Sequence, residues 1–132
     1  MANWLGVVRP EVWEEANLQL SRQPSPHRYG FPEGRRMSVK QIKIGDRISE
    51  YMTKVSRFLA VFEVVGEYVL VPDRVYAGEV FPECVEVKPI VGPLSPEKGI
   101  KNNWNVSVRK SACRLDDGVA ETILNALREA AK

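Results

Sequence analysis

The stretch RYGFPEG, residues 28–34, holds two aromatic side chains on either side of a glycine. A turn uses glycine and proline, but it does not require Tyr29 and Phe31 beside Gly30. Aromatic rings in a polar segment either fix the segment to the core or offer faces on which a planar ligand stacks. We therefore treat Tyr29, Gly30 and Phe31 as candidates for a ligand site.

Positive charge is concentrated around this stretch. Residues 22–43 carry a net charge of +5, whereas the other 110 residues carry −3, which together give the net +2 of the chain. Such a segment is either a solvated loop or a surface that attracts phosphate. We predict phosphate contacts from this segment and from a residue at the start of the predicted central strand: Arg28, Arg35, Arg36, Lys40 and Arg57.

Three further aromatic residues are candidates for the same site. Trp104 lies in the polar sequence KNNWN, Tyr76 lies in the loop VPDRVYAGEVFP, and Tyr51 ends a predicted strand. Each could instead be a structural anchor or a surface residue. Trp4 and Trp13, on a predicted strand and a predicted helix face, are interpreted as core residues.

Catalytic and metal chemistry has little support in the sequence. The chain contains no GxSxG, P-loop or HExxH motif, and its acidic residues lie on separate elements. Cys84 and Cys113 are far apart and the chain has one histidine, which disfavours a zinc site and favours reduced thiols in a cytoplasm. We predict neither an enzyme nor a metal or cofactor site.

Hydrophobic periodicity predicts the elements that would position these residues. A first strand is predicted over 3–8, followed by a helix whose first turn holds Pro10. The segment between this helix and Gly34 is predicted to be a loop, extended by its X-Pro steps. A turn at Gly45-Asp46 leads into a strand on which Ile48 and Glu50 share one face.

The second half of the chain continues this pattern. RFLAVFEVVG predicts a central strand, CVEVKPIV predicts a half-buried strand and NVSVRK is a short alternating segment. The terminal DDGVAETILNALREAAK predicts a helix capped by Asp116 or Asp117. Five or six short strands with a helix near each end indicate an α+β fold, a small and mostly antiparallel β-barrel with flanking helices.

Length and hydropathy indicate a single domain over residues 1–132. No apolar run approaches the roughly 20 residues that span a bilayer, and the N-terminus lacks the pattern of a signal peptide. We therefore expect a cytoplasmic protein that does not bind membranes.

The order of these motifs resembles the EVE domains, small members of the PUA-like superfamily that also includes the YTH readers of N6-methyladenine. The resemblance rests on NWLGVVRPEVWEE, on RYGFPEG, on IKIGDRISEYM, and on the order of FLAVFEV, the aromatic loop, ECVEVKPI and GIKNNW. These stretches span nearly the whole chain. Tyr29 stands where the family usually has tryptophan, and Trp104 matches a tryptophan late in the family pattern.

The resemblance implies a PUA-like barrel that binds a modified base of DNA or RNA, such as a methylated cytosine or adenine, in an aromatic pocket. A base removed from its stack must regain a few kcal/mol, and stacking on an aromatic ring contributes about 1–3 kcal/mol. A base edge could also approach the backbone at Gly30 because glycine has no Cβ. The predicted pocket consists of Tyr29, Gly30, Phe31, Tyr51, Tyr76 and Trp104. Two alternatives are a small-ligand or protein-interaction domain of the same fold and an RNA-processing enzyme.

Overall fold

The computed structural model describes residues 1–20 and 27–132. Its helices are α1 (Pro10–Leu20), α2 (Arg36–Val39) and α3 (Asp117–Ala130). Its strands are β1 (Asn3–Val8), β2 (His27–Phe31), β3 (Arg47–Met52), β4 (Arg57–Val64), β5 (Val69–Leu70), β6 (Val75–Tyr76), β7 (Glu79–Val80), β8 (Glu83–Val91), β9 (Ile100–Lys101) and β10 (Cys113–Arg114). A short 3-10 helix covers Pro96–Lys98.

A curled mixed sheet forms the body of the molecule. Its strand order is β10-β1-β3-β4-β8-β2, with β5 added to β8 and β9 added to β4. The pair β1–β3 is parallel and the other pairs are antiparallel. The sheet curls until Tyr29 of β2 reaches β1, where its ring occupies the space that a side chain at Gly6 would need. The hairpin β6–β7 stands apart from this sheet.

Two apolar clusters lie on opposite faces of the sheet. Trp4, Ile48 and Phe62 point into the curl, whereas their strand neighbours contact α3 on the outer face. Helix α3 buries Ile123 and Leu127 against that outer face. The fold therefore has a closed inner core and an outer core under one helix.

A buried carboxylate fixes the turn before β3. Asp46 accepts hydrogen bonds from the indole Nε1 of Trp4, and from the N–H groups of Ala2 and Lys43, all at 2.9 Å. Burial disfavours the ionised carboxyl, but these hydrogen bonds outweigh burial and hold the pKa of Asp46 below its usual range. The Gly45-Asp46 turn thus anchors a core tryptophan.

Several predictions of elements are confirmed. The first strand, the N-terminal helix, the central position of β4 and the alternation of β8 agree with the sequence patterns. Asp116 is the cap of α3, because its carboxylate accepts a hydrogen bond from the N–H of Val119 at 3.0 Å. Core burial of Trp4 is also confirmed.

Other predictions of elements are wrong. Residues 27–31 were expected in a loop but form β2, because they pair with 83–87 of β8. Helix α2 was not predicted, and the alternating segment NVSVRK forms no strand. The X-Pro steps at Pro24 and Pro26, and Arg22 of the basic segment, lie outside the described residues.

Within the described ranges, 1–20 and 27–132, no helix is long and apolar enough to cross a membrane. Cys84 and Cys113 are both free thiols.

Candidate functional site

A cavity of about 50 Å³ opens at one end of the curled sheet. Its walls come from α1, from the strands β1, β2, β3, β4 and β8, and from the region around the β6–β7 hairpin. Apolar side chains dominate these walls, and a few polar groups converge among them. The lining residues are Val7, Val8, Val12, Trp13, Ala16, His27, Arg28, Tyr29, Gly30, Glu50, Phe62, Arg74, Tyr76, Phe81 and Val87.

Strand β2 positions Tyr29 in the inner wall. Its ring lies 5.1 Å from that of Phe31 and 5.5 Å from that of Phe62, in tilted packing. The hydroxyl end contacts Gly6 across the curl. Burial and the neighbouring Glu50 raise the pKa of Tyr29 well above its usual value, so this hydroxyl stays protonated.

Glu50 places a carboxyl group inside the cavity. Its residue is only 7% exposed. Burial raises the pKa of Glu50 from 4.5 to about 7, although the facing side chains of Tyr29 and Trp13 oppose this shift. At neutral pH this carboxyl is therefore divided between its neutral and ionised forms.

Two buried nitrogen atoms of the cavity residues lack a hydrogen-bond partner among the described residues. They are Nε1 of Trp13 and Nδ1 of His27. A buried polar atom without a partner costs about 1–3 kcal/mol. Trp13 was interpreted as a core residue, and its position in the cavity wall corrects that interpretation. A ligand in the cavity could satisfy both atoms.

Arg74 forms the wall next to Gly30. Its guanidinium lies 4.5 Å from the ring centre of Tyr76, and its Nη2 donates a hydrogen bond to the carbonyl of Arg28 at 2.7 Å. A Cβ at Gly30 would clash with this guanidinium and would lie 2.8 Å from the carbonyl oxygen of Phe81. The space beside the Gly30 backbone is therefore occupied by the Arg74 guanidinium. From the sequence, we expected the edge of a base in that space.

The structure brings Tyr29, Gly30 and Tyr76 together in the cavity, but it separates the other three predicted pocket residues from them. Phe31 is fully buried in the inner core. Tyr51 points to the opposite face of β3 and packs on Phe58 with ring centres 5.2 Å apart. These two positions are corrections, because pleating and core packing hold both rings away from the cavity.

Trp104 belongs to a different part of the surface. Its ring packs edge-on against Phe58 at 6.2 Å, on the face of the sheet that contacts α3. There it lines a second groove of about 430 Å³ beside Leu5 and Val119. The predicted pairing of Trp104 with Tyr29 in one pocket is therefore wrong.

Four of the predicted phosphate-binding residues make internal contacts. The Nε of Arg35 donates to the carbonyl of Ser111 at 2.9 Å. The Nε of Arg36 donates to the buried carboxylate of Glu83 at 2.8 Å. The Arg57 guanidinium donates to the carbonyl of Gly99 at 2.7 Å, and Lys40 lies over the ring of Tyr68. Arg28 is exposed and lines the cavity. Of the five, Arg28 is placed best to meet a ligand.

A second basic segment was not among the predicted phosphate-binding residues. Residues 98–115 contain five lysines and arginines and no acidic residue, a signal that was available in the sequence. The segment is tied to the edge of β1, since Ser111 Oγ accepts a hydrogen bond from the Val7 N–H at 3.0 Å. Arg109 and Lys110, directly before Ser111, are exposed and form no ion pair within the described part of the chain.

The arrangement is suited to binding a flat, partly polar ligand. Aromatic and aliphatic walls give stacking and apolar burial, while Trp13, His27 and Glu50 offer hydrogen-bonding groups at depth. Arg28 and Arg74 add positive charge at the cavity. Among the described residues, no group of three or more metal-binding side chains is present.

Comparison with known proteins identifies the fold. No protein-family model matches the chain, and no curated protein matches it in sequence. A structural-genomics protein of Rhodopseudomonas palustris, solved by NMR, superposes with a TM-score of 0.67 at 17% identity, covering 98% of this chain and 94% of the other.

Another similar structure is the YTH domain of Zygosaccharomyces rouxii MRB1, solved in complex with N6-methyladenosine RNA. It gives a TM-score of 0.58 at 13% identity, and the alignment covers 96% of this chain and 87% of that domain. The YTH domain of mmi1, solved with RNA, gives 0.61 at 8% identity, with 98% and 83% covered. The curled mixed sheet and its few helices are thus the α+β, PUA-like fold that YTH domains share.

Proposed function

We propose that the protein is an EVE-type reader, a non-catalytic module that binds a modified base of DNA or RNA in the cavity between α1 and β2. The observation that carries this proposal is the composition of the cavity. Its apolar walls enclose a buried carboxyl and two buried nitrogen atoms that have no hydrogen-bond partner in the described structure. A nucleobase combines a flat apolar face with a polar edge, which fits both features.

Three contributions would hold the base. Stacking on Trp13 or Tyr29 is worth about 1–3 kcal/mol, which offsets the cost of removing the base from its stack. The indole Nε1 of Trp13 would donate a hydrogen bond to the polar edge. A methyl group buried against aliphatic wall residues such as Val8 and Val12 would add about 0.8 kcal/mol and favour the modified base.

The neighbouring cations would hold the nucleic-acid backbone. Arg28 lines the cavity, and Arg109 and Lys110 follow the edge of β1, the strand whose Val7 and Val8 form part of the cavity wall. Exposed cations without internal partners are available to phosphates, whereas Arg36 is held by Glu83. We therefore assign the phosphate contacts to Arg28, Arg109 and Lys110.

The fold shared with YTH domains supports a binding function over an enzymatic one, because those neighbours were solved with RNA or N6-methyladenosine RNA. A cytoplasmic location belongs to the same proposal, since both cysteines are free thiols.

The test is a binding screen with oligonucleotides, single- and double-stranded, that differ in one modified base. Wild-type protein should bind one modified oligonucleotide more tightly than its unmodified counterpart. Replacing Trp13 by Ala should weaken that binding by about 1–3 kcal/mol, the value of one stack. The matched control is Trp104→Ala, which should lower the free energy of unfolding through its contact with Phe58 but leave binding unchanged.

Two outcomes would reject the proposal. Equal affinity for all modified and unmodified oligonucleotides would exclude base reading. Tight binding of a free metabolite, with an affinity that does not change with salt, would favour the small-ligand alternative, because phosphate contacts make affinity fall steeply with salt.

A further inference from the structure

The carboxyl of Glu50 lies in an apolar cavity without a neutralising partner. Phe62 and Val8 line the same cavity, and the facing Tyr29 and Trp13 favour the ionised carboxyl less than burial disfavours it. No cation in the described residues forms an ion pair with Glu50. Burying an unpaired carboxylate is costly, and a protein avoids the cost by binding a proton. The geometry therefore favours a neutral carboxylic acid in the cavity.

The two forms of a carboxyl group recognise different ligand edges. A neutral acid presents one O–H donor beside one C=O acceptor, whereas a carboxylate presents acceptors only. The base edges differ in the same way. Cytosine and adenine carry an unprotonated ring nitrogen, an acceptor, beside an exocyclic amine, a donor. Guanine carries two adjacent N–H donors, which suit a carboxylate.

We propose that Glu50 binds the ligand as a neutral acid, donating its O–H to a ring nitrogen and accepting a hydrogen bond from the adjacent exocyclic amine. This inference rests on the proposed base-reading function. It names the ligand class, a modified cytosine or adenine and not a modified guanine. The Nε1 of Trp13 supplies a further donor, which suits the O2 carbonyl of cytosine.

The acid–base behaviour of the site agrees with this assignment. The pKa of Glu50, raised by burial to about 7, keeps much of the group neutral at neutral pH. The other charged or titratable groups that line the cavity are His27, Arg28 and Tyr29 from β2, and Arg74 and Tyr76 from the β6–β7 region. Because these groups line the same cavity, a pH effect must be compared with a variant that lacks only the Glu50 carboxyl.

The decisive variant is Glu50→Gln, because glutamine presents an N–H donor beside a C=O acceptor at every pH. The probes are oligonucleotides identical except for one central base: 5-methylcytosine, N6-methyladenine or guanine. Wild-type affinity for a methylated cytosine or adenine should fall about tenfold between pH 6 and pH 8 as Glu50 loses its proton. Glu50→Gln should bind within about threefold of wild type at pH 6 and should lose that pH dependence. Glu50→Ala should weaken binding at least tenfold at pH 6.

The outcomes separate this inference from the function on which it rests. Preference for the guanine probe, or loss of binding in Glu50→Gln with affinity rising toward pH 8 in the wild type, would show a carboxylate acceptor and overturn the neutral-acid assignment alone. Equal behaviour of wild type and Glu50→Gln at every pH would also overturn it. Failure of wild type to bind any probe at pH 6 would reject base reading itself. Thermal unfolding of each variant identifies any that fails to fold.

Discussion

At the scale of single residues, the cavity depends on polar groups that a well-packed core would exclude. Nε1 of Trp13 and Nδ1 of His27 are buried without a hydrogen-bond partner in the described structure, and the Glu50 carboxyl is buried without an ion pair there. Residues that reduce stability in this way often serve a ligand. Asp46 is the contrasting case, because three hydrogen bonds satisfy its carboxylate.

Glu50 should make folding stability depend on pH. Its pKa is raised in the folded protein, so its contribution is fully present below about pH 4.5, the unfolded value, and is lost as pH rises to about 7. Because one pKa unit corresponds to about 1.4 kcal/mol, the loss is on the order of 3 kcal/mol.

The measurement is urea unfolding of wild type and Glu50→Gln between pH 4 and pH 8. The difference between their free energies of unfolding should shift in favour of the glutamine variant as pH rises. A difference that stays constant over this range would mean that Glu50 titrates in the folded protein as it does in the unfolded chain.

At the scale of elements, β1 and β2 form the cavity by approaching each other without pairing. Gly6 makes this approach possible, since a Cβ there would lie 2.8 Å from Cζ of Tyr29. The ring of Tyr29 cannot move away from Gly6, because Phe31 and Phe62 pack against it. The cavity wall therefore depends on Gly6, a residue that does not itself line the cavity.

Gly6→Ala should consequently destabilise the protein by about 1–3 kcal/mol, the usual cost of overpacking, and weaken oligonucleotide binding as well. Both effects should be smaller when Tyr29→Phe is present, because the hydroxyl that meets the new methyl group is then absent. Additive losses in the double variant, measured by chemical unfolding, would show that Gly6 and Tyr29 are not coupled.

The elements could be predicted from the sequence where the pattern is local. Alternation identified β8, helical spacing identified α1 and α3, and the apolar run identified β4. Strand β2 was missed because its Pro- and Gly-containing sequence gives no alternation, and its extended conformation depends on pairing with β8. The resemblance supplied the fold where periodicity could not.

The site could be predicted less completely. Of the residues predicted from aromatic side chains in polar surroundings, Tyr29 and Tyr76 line the candidate cavity, whereas Trp104 packs on Phe58. Glu50 and Arg74 were not predicted as cavity residues. Their place in the cavity depends on burial and on contacts between residues far apart in the chain, which a sequence pattern does not show. The sequence shows the positive charge of Arg35 and Arg36, but it does not show that their side chains bond to the Ser111 carbonyl and to Glu83 in the folded protein.

At the scale of the whole molecule, some lysine and arginine side chains are held by internal partners, whereas others are exposed and available to a ligand. Arg36 and Arg57 are held by Glu83 and by the Gly99 carbonyl, whereas Arg109 and Lys110 have no ion pair among the described residues. Only available cations can release counterions from a nucleic acid when they contact its phosphates.

The double variant Arg109→Ala and Lys110→Ala should therefore reduce the slope of log affinity against log salt by about 1.4–1.8, since each phosphate contact contributes about 0.7–0.9. The preference for the modified base should remain. The control, Arg36→Ala with Arg57→Ala, removes the same charge; it should lower stability and change the slope little. Equal slope changes in the two double variants would indicate a general charge effect and not a defined phosphate contact.

The most direct test of the account is the NMR spectrum of the indole N–H groups, of which the chain has three, from Trp4, Trp13 and Trp104. On titration with an oligonucleotide that carries the preferred modified base, the Trp13 Nε1–H signal, assigned by its loss in Trp13→Phe, should move the most, because this group gains a hydrogen-bond partner. The Trp4 signal should stay in place, since its Nε1 already donates to Asp46. A saturating titration that shifts the Trp104 signal and leaves the Trp13 signal unchanged would contradict the account, because it would place the base in the groove beside α3.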